Sequence, residues 1–380
     1  MQYKEYELGE LLPFEQPTAY IVKSTDYNDS YSTPVLTAGK SFILGKTNEK
    51  YGIFDQLPVI IFDDFTTATQ FVNFKFKVKS SAMKILHINT ALVMPKYIFY
   101  RLQIIQFDHS THKRYWIQSY SKIKVSVPSL DEQSRIVSRI DELFSELDKA
   151  VDTLNTTKEQ LAVYRQAVLK DTFSNLPREM YKPLKLVMEE MPQNGLYKSK
   201  SFYGEGNPIL RIDGFYDGEV VPNYEYKRVR LEAEEIKKYA LHIGDIVVNR
   251  VNSMSYLGKC ALIRNLEEPT IFESNVMRFR LDKQQIDLEY AMYYLSTSFG
   301  RHELIKNAKQ AVNQASINQT DVGNALIPIP KDLEAQRNIA QKISAHIAVC
   351  NNIEQGIDTA FAQADTMRQS ILKQAFEEKD

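Results

Sequence analysis

The feature that most restricts how this 380-residue chain can fold is an internal duplication. Shifted by 203 residues, Leu130 to Phe173 lies on Leu333 to Phe376 without a gap, with 11 identities in 44 positions. Self-similarity at a fixed offset means that one structural unit is used twice, and it is sought before any local structure is assigned. The ends agree best. Tyr164 to Phe173 lies on Met367 to Phe376, and Leu130, Gln133, Ile136 and Ile140 lie on Leu333, Gln336, Ile339 and Ile343.

Both copies predict long helices, because neither contains proline and each keeps a seven-residue apolar repeat. Ile140, Leu147, Leu154, Leu161 and Val168 form a seam, with Ile136, Leu143, Ala150 and Tyr164 as its companion row. The second copy repeats the register with Ile343, Cys350, Ile357, Ala364 and Ile371, but is smaller and more polar and includes Gly356. Pro128 followed by Ser129 and Glu132 predicts a capping box at the first helix start; Pro330 and Asp332 mark the second.

The repeat extends upstream more faintly. At the same offset Lys75 to Val78 lies on Arg278 to Leu281, two stretches that alternate apolar and basic residues like a strand with one wet face. A helix is expected after each, over Tyr97 to Leu102 and Tyr290 to Leu295. The expected organisation is therefore a first mixed α/β domain over residues 1–126, a long helix over 127–175, a second α/β domain over 176–328 and a second long helix over 329–380. The domains diverge while the helices stay alike. A helix of that length reaches on the order of 60 Å, enough to act as a spacer.

Composition narrows the class. A chain that is 43% hydrophobic and 11% aromatic can bury more than one core. Cys260 and Cys350 are too few and too far apart for a disulfide framework or a zinc cluster, which favours a reducing, cytoplasmic setting. The longest apolar run, Leu57 to Phe62, contains a proline and is far shorter than the roughly 20 residues of a membrane span; the N-terminus has no signal-peptide core. The net charge of −1 gives no global basic footprint. By region, residues 1–126 carry 15 basic and 11 acidic side chains, whereas 127–175 carry 6 and 9.

The duplicated scaffold with diverged domains resembles the specificity (S) subunits of type I restriction-modification systems. The resemblance rests on the helix openings Val127 to Gln133 and Ile329 to Gln336 and on the helix endings above. It also rests on Gly244 to Arg250 followed by Leu257 to Ala261 in the second domain, and on Pro58 to Thr66, a variant of the same strand and loop, in the first. It implies two target recognition domains joined by two long helices in an antiparallel coiled coil, with a pseudo-two-fold internal repeat. It implies a non-catalytic subunit that reads double-stranded DNA over an asymmetric bipartite target and docks methylation (M) subunits, two of them, and restriction or motor (R) subunits. S-adenosylmethionine, ATP and Mg would then belong to the partners, with no cofactor or metal in this chain. The sequence agrees by omission: there is no G-x-x-x-x-G-K-[ST] loop, no G-x-G-x-x-G and no Asn-Pro-Pro-aromatic motif.

Candidate DNA-binding residues follow from chemistry. Lys75, Lys77 and Lys79 face one side of their stretch, where a lysine row either protects an edge strand or meets phosphate. Arg278 and Arg280 at the aligned positions tilt the choice to phosphate. Base reading needs paired donors and acceptors on a protruding element. The candidates are Thr66, Thr67, Thr69 and Gln70 in the first domain, and Arg250, Asn252, Ser253, Tyr256 and Lys259 in the second, with Arg250 foremost. Two readings compete with DNA recognition. A coiled-coil scaffold binding only protein predicts no salt-dependent DNA affinity. A self-contained nuclease would use Asp63, Asp64 and Lys75, but Asn73 stands where a second acid is needed. His109 and His112 lack further ligands nearby, and the glycines at 195, 204, 206, 214 and 218 are scattered turn formers.

Overall fold

The proline-free repeats form two helices of 45 residues, Leu130–Ser174 and Leu333–Glu377, in a computed structural model that describes residues 3–37, 41–108, 114–312 and 314–377. Their starts are capped as expected: Ser129 Oγ accepts from the Glu132 amide at 3.4 Å, and Asp332 Oδ1 from the Glu334 amide at 2.9 Å. The chain divides into two compact units, Met1–Asn155 with Asp358–Asp380, and Thr156–Ile357. Each unit thus holds the start of one long helix and the end of the other, a division that falls inside both spacer helices.

In the first unit Lys4–Glu7 pairs antiparallel with Lys124–Val127, so the chain enters and leaves the domain side by side. An antiparallel sheet runs in the order Phe14–Glu15, Met83–His87, Val59–Asp63, Thr69–Val72. A smaller sheet runs Ile43–Thr47, Thr33–Leu36, Lys77–Val78, its last pair parallel. Val59–Asp63 is buried on both faces, which is why it reads as an unbroken apolar run. Ile60 and Phe62 face the helix Pro95–Leu102 and Trp116, while Val59 and Ile61 pack on Phe54, Phe76 and Val78.

The second unit repeats this plan. Tyr181–Pro183 pairs with Leu326–Pro328. The larger sheet runs Met188–Asn194, Val276–Leu281, Asp245–Asn249, Cys260–Leu262. The smaller runs Lys227–Val229, Tyr203–Leu210, Ile271–Phe272, the last pair again parallel. The topology corrects one expectation. Lys77–Val78 belongs to the small sheet, and the counterpart of Val276–Leu281 is Met83–His87, because Met83 faces Asp63 as Val276 faces Asn249. That strand is offset by 193 residues, which also relates the helices Pro95–Leu102 and Leu288–Leu295. The alternation of basic and apolar residues imitated an equivalence that the pairing does not support.

Residues kept in both helix copies make matched contacts. Gln133, fully buried, accepts from the Met94 amide at 2.7 Å and donates to the carbonyls of Leu92 and Pro128 at 3.1 and 2.9 Å. Gln336, equally buried, accepts from the Asp287 amide at 2.8 Å and donates to those of Gln285 and Pro330 at 3.2 and 2.8 Å. Each glutamine ties the start of a long helix to the start of a domain helix. Arg165 donates to Asn351 at 2.7 Å in the second unit, and its repeat mate Arg368 pairs with Asp148 in the first. These contacts run the two helices antiparallel within each unit. Phe173 packs edge-on to Tyr290 and Tyr294 at 5.4 and 5.3 Å, as Phe376 does to Tyr97 at 5.3 Å.

The expected seam lies on the inner stripe. Ile140, Ile343 and Ile357 are buried, with Cys350 and Ala364, while Leu147, Leu154, Leu161, Val168 and Ile371 are half-buried. The companion row is weaker, since Ala150 and Tyr164 are exposed. Gln336→Ala leaves one amide and two carbonyls without their partner, at about 1–3 kcal/mol. Urea unfolding followed by circular dichroism should show that loss, and an unchanged transition would mean that the clamp is idle.

Candidate nucleic-acid interface

In the first domain the strands Val59–Asp63 and Thr69–Val72 of the large sheet are joined by a four-residue turn, closed by Thr67 N to Asp63 O at 2.9 Å and Asp63 N to Ala68 O at 2.8 Å. Thr67 takes a left-handed conformation, φ 57°. Thr66 and Gln70 are exposed and Thr67 half-buried. Thr69 turns inward, where its Oγ1 accepts from Gln103 at 2.5 Å, so alternation leaves Gln70 rather than Thr69 at the surface. Phe65 was not singled out from the sequence, yet it stands 46% exposed on the same turn.

Asp63 and Asp64 are occupied by structure. Asp63 Oδ1 accepts from the Phe65 amide at 2.9 Å. Asp64 is buried, accepts from the Trp116 amide at 2.8 Å and pairs with buried Lys84 at 3.2 Å. The lysine row also breaks up. Lys75 is exposed beside Asp55 at 3.5 Å, and Lys79 is exposed over the Tyr27 ring. Lys77 is buried, paired with Glu49 at 3.2 Å and bonded to the carbonyls of Tyr51 and Gly52. Its ammonium satisfies a closed loop and does not face solvent. His109 and His112 lie outside the described residues.

In the second domain the matching junction between Asp245–Asn249 and Cys260–Leu262 is wider, nine residues between Asn249 and Lys259, closed by Asn249 N to Lys259 O and Gly258 N to Asn249 O, both 2.9 Å. The strand ends at Asn249, and Arg250 opens the loop. Gly258 has φ +74°, and a Cβ there would meet Ile305 at 2.5 Å, so this position requires glycine. Arg301 holds the loop from below, with Nε donating to the Leu257 carbonyl at 2.9 Å and Nη2 to the Met254 carbonyl. The loop is a pinned, preorganised element.

Arg250 is half-buried; its Nη1 donates to the Ser274 carbonyl at 2.8 Å and its Nε has no partner among the described residues. Burial lowers its affinity for the proton below the ordinary arginine value. A desolvated guanidinium without a carboxylate favours an incoming anion or acceptor. Asn252 and Ser253 are half-buried, with Asn252 Oδ1 accepting from the Ser253 amide at 2.8 Å. Lys259 lies over the rings of Tyr216 and Tyr256 at 5.0 and 5.2 Å, near Asp217 at 3.7 Å, and Tyr256 is exposed.

Arg278 and Arg280 are placed otherwise than expected. Asp245, fully buried, takes Arg278 Nη1 on Oδ2 at 3.0 Å, and Arg280 Nε and Nη2 on Oδ1 at 2.9 and 2.6 Å. Glu190 also pairs with both, at 3.0 and 2.6 Å. Desolvation pulls the Arg280 guanidinium down, but the bond and charge of Asp245, with Glu190, hold it above its ordinary value. Two arginines that share the buried Asp245 carboxylate and the more exposed Glu190 stabilise the sheet and are not a free phosphate-binding row.

A family profile described as the type I restriction modification DNA specificity domain matches residues 2–161 and again residues 187–360. The chain belongs to this family. Among its type I relatives, the EcoR124I/EcoR124II specificity subunit of Escherichia coli is 31% identical over 373 residues, which cover 92% of this chain and 88% of the relative. The EcoKI specificity subunit of Escherichia coli strain K12 is 26% identical over 271 residues, 68% and 58% of the two chains. The fold is shared with the HsdS subunit of Thermoanaerobacter tengcongensis, TM-score 0.50 at 18% identity, over 98% of this chain and 96% of that one. It is also shared with a chain solved in work on complex assembly and conformational transition of the type I R-M system, TM-score 0.65 at 17% identity, over 98% and 97%. No helix among the described residues is long and apolar enough to cross a membrane.

For this specificity-family chain the sequence missed residues that hold the interface without facing it. Arg301 and the Gln193 that receives Arg278 at 3.0 Å lie far in sequence from the loop and sheet they brace, with no local pattern to mark them.

Proposed function

We propose that the chain is the non-catalytic DNA-reading subunit of a type I restriction-modification complex, with each domain reading one part of an asymmetric bipartite target. The observation that carries this reading is the contrast between conserved frame and diverged tips. The same two sheets and the same glutamine clamp occur twice, whereas the matching junction is a four-residue turn in one domain and a nine-residue loop in the other. Like frames meet like partners, so the duplicated helices would dock two methylation subunits, with restriction or motor subunits joining the assembly. Unlike tips read unlike bases, and half-sites about one helical turn apart would lie roughly 34–36 Å from each other. Asp63 and Asp64 are spent on structure, which is consistent with methyl transfer, ATP use and their cofactors S-adenosylmethionine, ATP and Mg residing in the partners. The compartment would be the cytoplasm.

The test is selection from a random duplex pool by the chain assembled with its methylation subunit, beside methyl transfer by the chain alone. An asymmetric two-part motif and no transfer by the lone chain are expected; methyl transfer or cleavage by the lone chain would overturn the reading. Within it, Arg250→Ala should relax preference at one base pair of the second half-site by roughly 1–3 kcal/mol, measured on single-base variants of the selected duplex. Uniform weakening on every sequence, with a shallower salt slope, would make Arg250 a phosphate contact instead.

A further inference from the structure

The second domain carries a hairpin beside its candidate reading loop. The two domains correspond at an offset of 193 residues at their domain helices and 203 at the long helices, so the second has ten residues more between them. Between them the second domain has the helix Ser298–Ile305 and the antiparallel pair Lys309–Ala311 and Gln314–Ser316. That hairpin is joined to the loop: Val251–Asn252 pairs with Gln314–Ser316, Val251 opposite Ser316 and Asn252 opposite Ala315, and the Ile317 amide donates to the Arg250 carbonyl at 2.9 Å. Loop and hairpin form one three-stranded sheet.

The chemistry of the hairpin differs between its faces. Ala315 is buried and fixes one face on the domain core, where it belongs to the main apolar cluster. Lys309, Ala311 and Gln314 share the other face and are exposed. The side chains of Lys309 and Gln314 have no hydrogen bond or ion pair among the described residues. Val312, between the strands, is 92% exposed. A folding argument accounts for none of these three positions. A two-stranded ribbon fits the major groove, a glutamine amide addresses adenine through a donor and an acceptor, and an apolar side chain meets the thymine methyl.

We infer that the Lys309–Ser316 hairpin is a second reading element of this domain, entering the major groove of duplex DNA alongside the 250–259 loop. Gln314 is its base-reading side chain and Lys309 its phosphate contact. The inference rests on the proposed reading of the chain as a DNA-recognition subunit, and it adds which element, beyond the loop, sets the second half-site.

The experiment uses the full chain assembled with its methylation subunit and a random duplex pool, for the wild type and for Gln314→Ala and Lys309→Ala, followed by binding to single-base variants of the selected duplex across a salt series. Both substitutions are at exposed positions and preserve the hairpin, which circular dichroism and the thermal transition verify. Gln314→Ala should lose discrimination on the order of tenfold at one base pair of the second half-site and leave the first half-site unchanged. Lys309→Ala should weaken binding to all duplexes alike and reduce the salt slope by about one. A wild-type complex that selects no motif defeats the DNA-reading proposal itself. A wild type that selects a two-part motif, with Gln314→Ala selecting the same motif at the same stringency, overturns the hairpin inference alone.

Discussion

Asp245→Ala should destabilise the second unit by about 3–5 kcal/mol, because it removes the buried carboxylate between the buried Arg278 and the half-buried Arg280 and leaves both underpaired. Asp245 accepts four hydrogen bonds, three from Arg278 and Arg280 and one from the His242 amide at 2.8 Å. Glu190 is exposed enough to be screened and offsets only part of the charge. The chain has one tryptophan, Trp116, buried in the first unit against Phe62 and Tyr120. Tryptophan fluorescence therefore follows the first unit, while far-ultraviolet circular dichroism follows both. The expected result in urea is an early dichroism transition with the fluorescence transition held near its wild-type midpoint. Coincident, unshifted transitions would show that Asp245 is dispensable. Arg280→Ala should share the defect in weaker form, since Asp245 keeps Arg278 and the His242 amide; a variant with full stability and a shallower salt slope in DNA binding would return Arg280 to a phosphate role.

That reversal shows where sequence reasoning stops. The long helices, their caps and the seam were legible because each is written in local pattern: absence of proline, a seven-residue repeat, a cap residue. The alternation of Lys75 to Lys79 and of Arg278 to Arg280 was legible too, but alternation states only that successive side chains point apart. Whether the basic face is wet depends on acids elsewhere. Glu49 lies 28 residues from Lys77, and Asp245 lies 33 and 35 residues from the two arginines, so nothing in the window distinguishes a buried ion pair from an exposed row. Gln133 and Gln336 were visible as a repeated residue and not as a clamp, since the amides they bind lie some forty and fifty positions earlier. The hairpin left no apolar period at all; its strands are three residues each and mostly polar.

Exchange of residues 1–126 for the matching domain of a family relative should replace one half of the recognised motif and leave the other half intact. The geometry of the first unit makes the cut permissible. Lys4–Glu7 and Lys124–Val127 lie side by side, so the domain closes on itself before the long helix starts at Leu130. The contacts that the incoming domain must supply include an amide and a carbonyl for Gln133 in place of those of Met94 and Leu92, an aromatic ring for Phe376 in place of Tyr97, and a partner for Asp141, which now receives Lys96 at 2.6 Å and the Tyr100 hydroxyl at 2.5 Å. A donor domain chosen for those positions keeps the frame while carrying its own turn in place of Asp64 to Thr67. Motif selection by the assembled complex is the measurement. The second half-site should be recovered unchanged, because Arg250, Lys259 and the residues that brace them all belong to Thr156–Ile357. If both halves of the motif change together, the domains do not read independently, and recognition must instead be a property of the two tips acting as one surface.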